Sequence, residues 1–113
     1  SAPAGGVTTR HASPAYSTPY DIDASLYDII DMTLTANITL GVINAVDGQV
    51  IRARLKQGGT GGYTIAFAAS CRFGTDITSV TLSTTVDHKD YIAFCYDATD
   101  NKYDIVAYTR GYS

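Results

Sequence analysis

The 113-residue chain contains no glutamate and no tryptophan, one methionine, and three prolines that all fall within the first 19 residues. Its eleven acidic residues are therefore all aspartates. Glutamate and leucine lose little rotamer freedom in a helix, whereas aspartate competes for backbone hydrogen bonds and suits turns, so the missing glutamate and the sparse leucine argue against helices. Two cysteines, Cys71 and Cys95, form neither a CxxC pair nor a metal-ligand spacing, and two are too few for a disulfide framework. They are predicted to be buried thiols. No apolar run approaches the length of a bilayer span, and no basic segment followed by an apolar core marks a secretory leader. Basic charge is scarce as well: eight Lys and Arg against eleven Asp leave a net charge of −3, which removes the footprint that nucleic-acid binding requires.

What is abundant is threonine, isoleucine, valine and tyrosine, the β-branched and aromatic side chains that fit a pleated surface. With 45% apolar and 17% charged residues, the chain reads as one globular domain with a core of its own. Composition divides it in two. Residues 1–19, SAPAGGVTTRHASPAYSTP, are small and proline-bearing with no structural period, and are expected to be a tail or an extended arm that orders on a neighbour. Residues 20–113 are expected to be a single β domain.

Within that domain, alternation assigns faces. Ile30, Met32 and Leu34 share one side of a run and Ile29, Asp31 and Thr33 the other. Ile38 and Leu40 point inward in the next run. In VIRARLKQ, residues 50–57, Ile51, Ala53 and Leu55 face inward while Arg52, Arg54 and Lys56 form a basic outer stripe. GGTGG, residues 58–62, offers the φ > 0 freedom of a hairpin loop, and the chain is expected to return through YTIAFAASCRF as the second strand of that hairpin. A short strand at Val80–Leu82 and two longer ones, DYIAFCYD and KYDIVAYT, complete a set of about eight. The predicted fold is all-β: an antiparallel, jelly-roll-like sandwich with an N-terminal arm.

Chemistry-bearing constellations are few. His11 lies in the arm and His88 in a turn, no GxSxG elbow marks a nucleophile, and both histidines read as solvated. His88 with Asp87 and Asp90 is a weak metal signal. DATDNKYD, residues 97–104, misses the calcium-loop spacing and reads as a hairpin turn. GGTGG lacks the GK[ST] that a phosphate cradle needs. Nine tyrosines are the one unusual enrichment; they either cover sheet faces or supply an interface, with Tyr91 and Tyr108 placed outward beside Ile92 and Ala107. No enzyme activity and no cofactor is expected.

The order MTLTANITL, then DGQVIRARLKQGGTGGYTIAF, then VTLSTTVDHKDYIAFCYDATDNKYDIVAY resembles a small β domain recurrent in tailed-bacteriophage virion proteins. There a TLTGNxTL strand pair leads to GxxxxLxxxQDxTGGxTxxW and then to PxLSTxxxxxDxLxFxYDGTxxY. The resemblance covers about residues 28 to 108 and rests mostly on Lys56–Gly62 and Asp90–Asp97. Phe67 stands where the pattern often has Trp, DATDN replaces the tighter DGT turn, and the proline before LS is missing. The resemblance implies a virion structural protein: a head decoration (cement) protein, a head fibre, or a tail fibre or spike, with no catalytic residues to carry over. Because the chain is only an arm and one β domain, the expected role is capsid decoration on the major capsid protein, as a trimer by family analogy, made in the host cytoplasm and carried on the virion head. The alternative is a tail module or adhesin binding a cell-surface glycan. Neither reading requires nucleic acid or membrane. Arg10, Tyr16, Tyr20, Arg52, Arg54 and Lys56 are the residues expected to meet the partner.

Overall fold

A computed structural model describes residues 9–113. They form nine strands and no helix: β1 His11–Ala12, β2 Tyr20–Asp23, β3 Ile29–Leu34, β4 Ile38–Ile43, β5 Val50–Gln57, β6 Ile65–Phe67, β7 Cys71–Arg72, β8 Lys89–Asp97 and β9 Lys102–Tyr112. Two sheets result, one of six strands in the order β1-β3-β5-β8-β9-β7 and one of three in the order β2-β4-β6. From β1 to β7 the chain changes sheet at every connection. A strand that returns to its sheet after one such excursion runs in the same direction as the strand two before it, so β3 pairs with β1, β4 with β2, β5 with β3 and β6 with β4 in parallel. The β8–β9 hairpin then occupies the place beside β5, antiparallel to it, and β7 lies beyond as a parallel neighbour of β9.

Five of the seven strand pairings are thus parallel. This corrects the antiparallel, jelly-roll-like connectivity expected from the sequence. The expected GGTGG hairpin is corrected with it: β5 and β6 belong to different sheets, and Gly58–Gly62 is a corner between them. Alternation reports which face a side chain takes and is silent on which strand lies alongside, so both connections produce the same pattern. The corner is tight. Gly61 has φ of 73°, and a Cβ there would stand 2.3 Å from the Thr84 carbonyl oxygen. The run YTIAFAASCRF is likewise split between the two sheets, by a turn in which Cys71 N–H donates to the Ala68 carbonyl at 2.9 Å. Val80–Leu82 forms no strand, although Leu82 is buried.

The inward-facing residues of both sheets merge into one core. Ile22, Leu40 and Val42 of the smaller sheet share it with Ile30, Met32, Leu34, Ile51, Leu55, Ile92 and Phe94 of the larger. Every inward position expected in β3, β4 and β5 is buried, and Ile65 and Phe67 pack partly buried against the same cluster. Ile29, expected on the outer side of β3, is also covered.

Two polar side chains are buried with this core, Gln57 and Asp90. The Gln57 amide donates to the carbonyls of Tyr63 (2.8 Å) and Ser83 (2.9 Å) and accepts from Tyr63 N–H (3.2 Å). The Asp90 carboxylate accepts from Ser83 N–H (2.7 Å), Ser83 Oγ (2.6 Å) and Gly111 N–H (2.9 Å). Together they fasten the irregular segment between β7 and β8 to the end of the six-stranded sheet. A buried polar group is tolerated only when its hydrogen bonds are met, and here they are.

Residues 9–19, expected to belong to an arm, run along this body. His11 and Ala12 pair with Ile29 and Ile30, Tyr16 OH donates to the Asn37 carbonyl (2.5 Å), and Thr18 Oγ1 accepts from Thr39 N–H (2.9 Å). Residues 1–8 of the expected arm lie outside the described residues.

Candidate interaction face

The outer side of the six-stranded sheet carries a cluster of basic and aromatic side chains, Arg52, Arg54, Lys56, Lys89, Tyr91 and Tyr112. Register sets the rows. Asp31, Arg54, Tyr91 and Thr109 stand side by side across β3, β5, β8 and β9, and Thr33, Lys56, Lys89 and Tyr112 form the next row. Strand alternation turns Arg52, Arg54 and Lys56 outward on β5, as the sequence predicts, and Lys89, Tyr91 and Ala93 outward on β8.

The Asp31 row is wired internally. Arg54 makes a two-point ion pair with Asp31, through Nε and through Nη2 (2.8 Å to Oδ2), and its Nη1 donates to Tyr91 OH at 3.3 Å. His11 Nε2 reaches the same carboxylate from β1. The hydrogen-bonded Arg54 guanidinium, with His11 second among the favourable partners, holds the Asp31 carboxyl at about 2. The Arg54 pKa is raised in return by Asp31 and then Tyr91. His11 is exposed, as the sequence predicts, and it adds a contact to Asp31 that the sequence did not indicate.

Beside this row lies an aromatic depression of about 410 Å³ lined by Arg52, Tyr91, Ala93, Ala107, Thr109 and Tyr112. Tyr91 and Tyr112 meet edge to face, their centroids 5.3 Å apart. Alanines make the floor and tyrosines the walls, a composition common at the centres of protein interfaces and able to stack on a sugar ring. Arg52 makes no ion pair among the described residues.

Three of the six expected partner residues, Arg52, Arg54 and Lys56, share this face. Tyr16 borders it, because Ser13–Tyr16 flank a groove of about 520 Å³ that Arg54, Lys56 and Lys89 also line. Arg10 is occupied within the chain: it donates to the Asp28 carboxylate (2.8 and 3.2 Å) and to the carbonyls of Ser25 (2.7 Å) and Ala24 (3.1 Å), and so clamps the start of the described chain to the β2–β3 loop. Tyr20 belongs to β2 in the other sheet and packs half-buried against the core. Sequence reasoning did not select Lys89 or Tyr112. Alternation in KDYIAFCYD marks Lys89 as outward, but only the pairing of β5 with β8 brings it to Lys56.

The remaining candidates resolve structurally. Asp97, Asp100 and Asp104 surround Arg72 at 3.4, 2.9 and 2.6 Å, and Asp97 Oδ1 accepts from Asp100 N–H at 3.2 Å, while residues 98–101 form the turn between β8 and β9, in keeping with the hairpin turn expected for this segment. Asp90 is turned inward to Ser83, away from His88, and Asp87 lies 3.6 Å from Lys56. Among the described residues no group of three or more ligating side chains is arranged to hold a metal ion. Cys71 and Cys95 are unbridged and half-buried, and β9 lies between their strands. Burial pushes the Cys71 thiol up to about 11.

Compared with family models, curated proteins and solved structures, the chain gives no match in any of the three.

Proposed function

We propose that this chain is a non-enzymatic structural subunit of a tailed-bacteriophage virion, and more narrowly a capsid decoration (cement) protein, acting as a trimer on the major capsid protein lattice. The reading rests on the resemblance in residues 28 to 108. The observation that carries it into three dimensions is the outer face of the six-stranded sheet, where an alanine-floored tyrosine cluster adjoins exposed Arg52 and the Lys56–Lys89 row. Aromatic and arginine side chains over small residues make a desolvatable patch, with cations at its margin for an acidic lattice surface. Weak contacts of this kind become firm when repeated at symmetric sites. The two sheets over one core fit a sandwich whose smaller sheet is free to face outward.

The motif residues support the same domain assignment by a different route. Gln57 of the KQGGTGG corner and Asp90 of the DYIAF run are the buried polar clips that hold Ser83 of the LST run, so the pattern that carries the resemblance encodes architecture.

The aromatic depression also favours a second reading, a tail module or adhesin in which Tyr91 and Tyr112 stack on a host glycan. Cosedimentation of the purified chain with capsids stripped of their accessory proteins separates the two. Saturable binding that Arg52→Glu with Tyr112→Ala abolishes supports cement. No capsid binding, with retention on a host polysaccharide column that the same substitutions abolish, overturns it in favour of the adhesin.

A further inference from the structure

The groove beside β3 combines two features that arise independently. The first is an open sheet edge. β1 pairs with β3 only through His11 and Ala12, after which Ser13–Tyr16 form the far side of the groove, and among the described residues no strand lies beside Asp31–Leu34 on that side. Hydrogen bonding fixes which backbone groups face the opening. The carbonyls of Asp28 and Leu34 accept from Arg52 and Gly58 on the β5 side, and Ile29 N–H donates to Arg10 on the β1 side. Alternation therefore sends the N–H and C=O of Thr33 toward the groove. An edge of this kind is a template for an added strand.

The second feature is a charge pattern. Lys56 on β5 and Lys89 on β8 are direct cross-strand partners in the same row as Thr33. Like charges directly opposite one another repel. The neighbouring Asp31 carboxylate is committed to Arg54 and His11, and Asp87, 3.6 Å from Lys56, is largely exposed and screened by water. The lysine pair is thus incompletely compensated by this chain, on the wall of a groove of about 520 Å³.

We infer that the groove takes an extended acidic polypeptide segment of a partner subunit, which adds to β3 at Thr33 and turns its carboxylates toward the groove wall that carries Lys56 and Lys89. The inference rests on the attachment role proposed above. A polypeptide is favoured over an acidic saccharide because Thr33 offers a backbone donor and acceptor side by side at the edge, the spacing that an added strand satisfies in register.

The test uses the full chain, labelled with ¹⁵N, and four probes followed by amide shifts: a capped peptide alternating aspartate and valine, its N-methylated counterpart, its lysine-for-aspartate counterpart, and an oligogalacturonate. The acidic peptide is expected to shift Thr33 and residues 13–16 and to weaken about tenfold or more with Lys56→Glu and Lys89→Glu together, the loss of two charge contacts. N-methylation and the lysine exchange should each abolish the shifts. Equal response to the N-methylated or lysine peptide overturns the inference, and so does shifting by the oligogalacturonate alone, which identifies a glycan groove. Because the probes report on the groove alone, their failure leaves capsid binding through the tyrosine face as a separate result.

Discussion

Asp31 on β3 and Arg54 on β5 stand directly opposite in the parallel register and join in a two-point ion pair, with His11 reaching the carboxylate from β1. Three neighbouring strands are thereby tied on the outer face by one carboxylate. Its depressed pKa sets a pH signature. A carboxyl that titrates at about 2 when folded and near the usual value of about 4 when unfolded contributes stability that is complete above about pH 4 and is lost as pH falls toward 2. Asp31→Asn should therefore cost about 1 kcal/mol at pH 7, allowing for solvent screening of a pair that is partly exposed, and should flatten the decline between pH 4 and 2. Urea unfolding of both proteins at pH 7, 4 and 2.5 measures this, and parallel pH curves would contradict it.

Asp90→Ala should be among the most damaging polar substitutions. It removes the buried carboxylate that accepts from Ser83 N–H and Gly111 N–H, at about 1–3 kcal/mol in all, since the half-buried and exposed donors are partly re-solvated. The melting temperature should fall by at least about 5 °C and limited proteolysis should open the segment between β7 and β8 first. An unchanged digestion pattern would show that the clip does not hold that segment.

Gly61→Ala and Gly74→Ala make a controlled pair. Gly61 combines a positive φ with a carbonyl 2.3 Å from the added Cβ, whereas nothing lies within 4 Å of a Cβ at Gly74. The first should destabilise by more than about 1 kcal/mol and the second by no more than a few tenths, since strain at a positive φ adds to the clash. Chemical denaturation of the two variants decides it, and equal midpoints would refute the corner geometry.

Much of the core is legible in the sequence because burial follows alternation. Ile51, Ala53 and Leu55 face inward with Arg52, Arg54 and Lys56 opposite, and DYIAFCYD buries Ile92 and Phe94 by the same rule. Strand partners are not legible, since a hairpin within one sheet and a corner between two sheets impose the same period of two on the side chains. Hence GGTGG read as a hairpin tip, and the Lys56–Lys89 and Asp31–Arg54 pairs had no sequence signal. Tyr16, expected to meet the partner, sends its hydroxyl to the Asn37 carbonyl of its own chain. A polar residue at an inward position is the signal that was available and unused: Gln57 continues the Ile51, Ala53, Leu55 series, and Asp90 begins the Ile92, Phe94 series.

The cysteines offer a prediction about oxidation. With β9 between β7 and β8, Cys71 and Cys95 stay unbridged, and burial keeps the Cys71 thiol protonated at neutral pH. Alkylation at pH 8 should leave Cys71 unmodified in the folded protein and modify both residues in urea. An intramolecular disulfide found by mass spectrometry after mild oxidation would contradict the strand order.

The proposed attachment role is tested most directly by the copy number of this chain in purified tailed-phage virions, by quantitative mass spectrometry against the major capsid protein. A ratio near one to one, or a simple lattice fraction of it, is the result the cement reading predicts. A handful of copies would place the chain in the tail, and its absence from virions would contradict the structural role altogether.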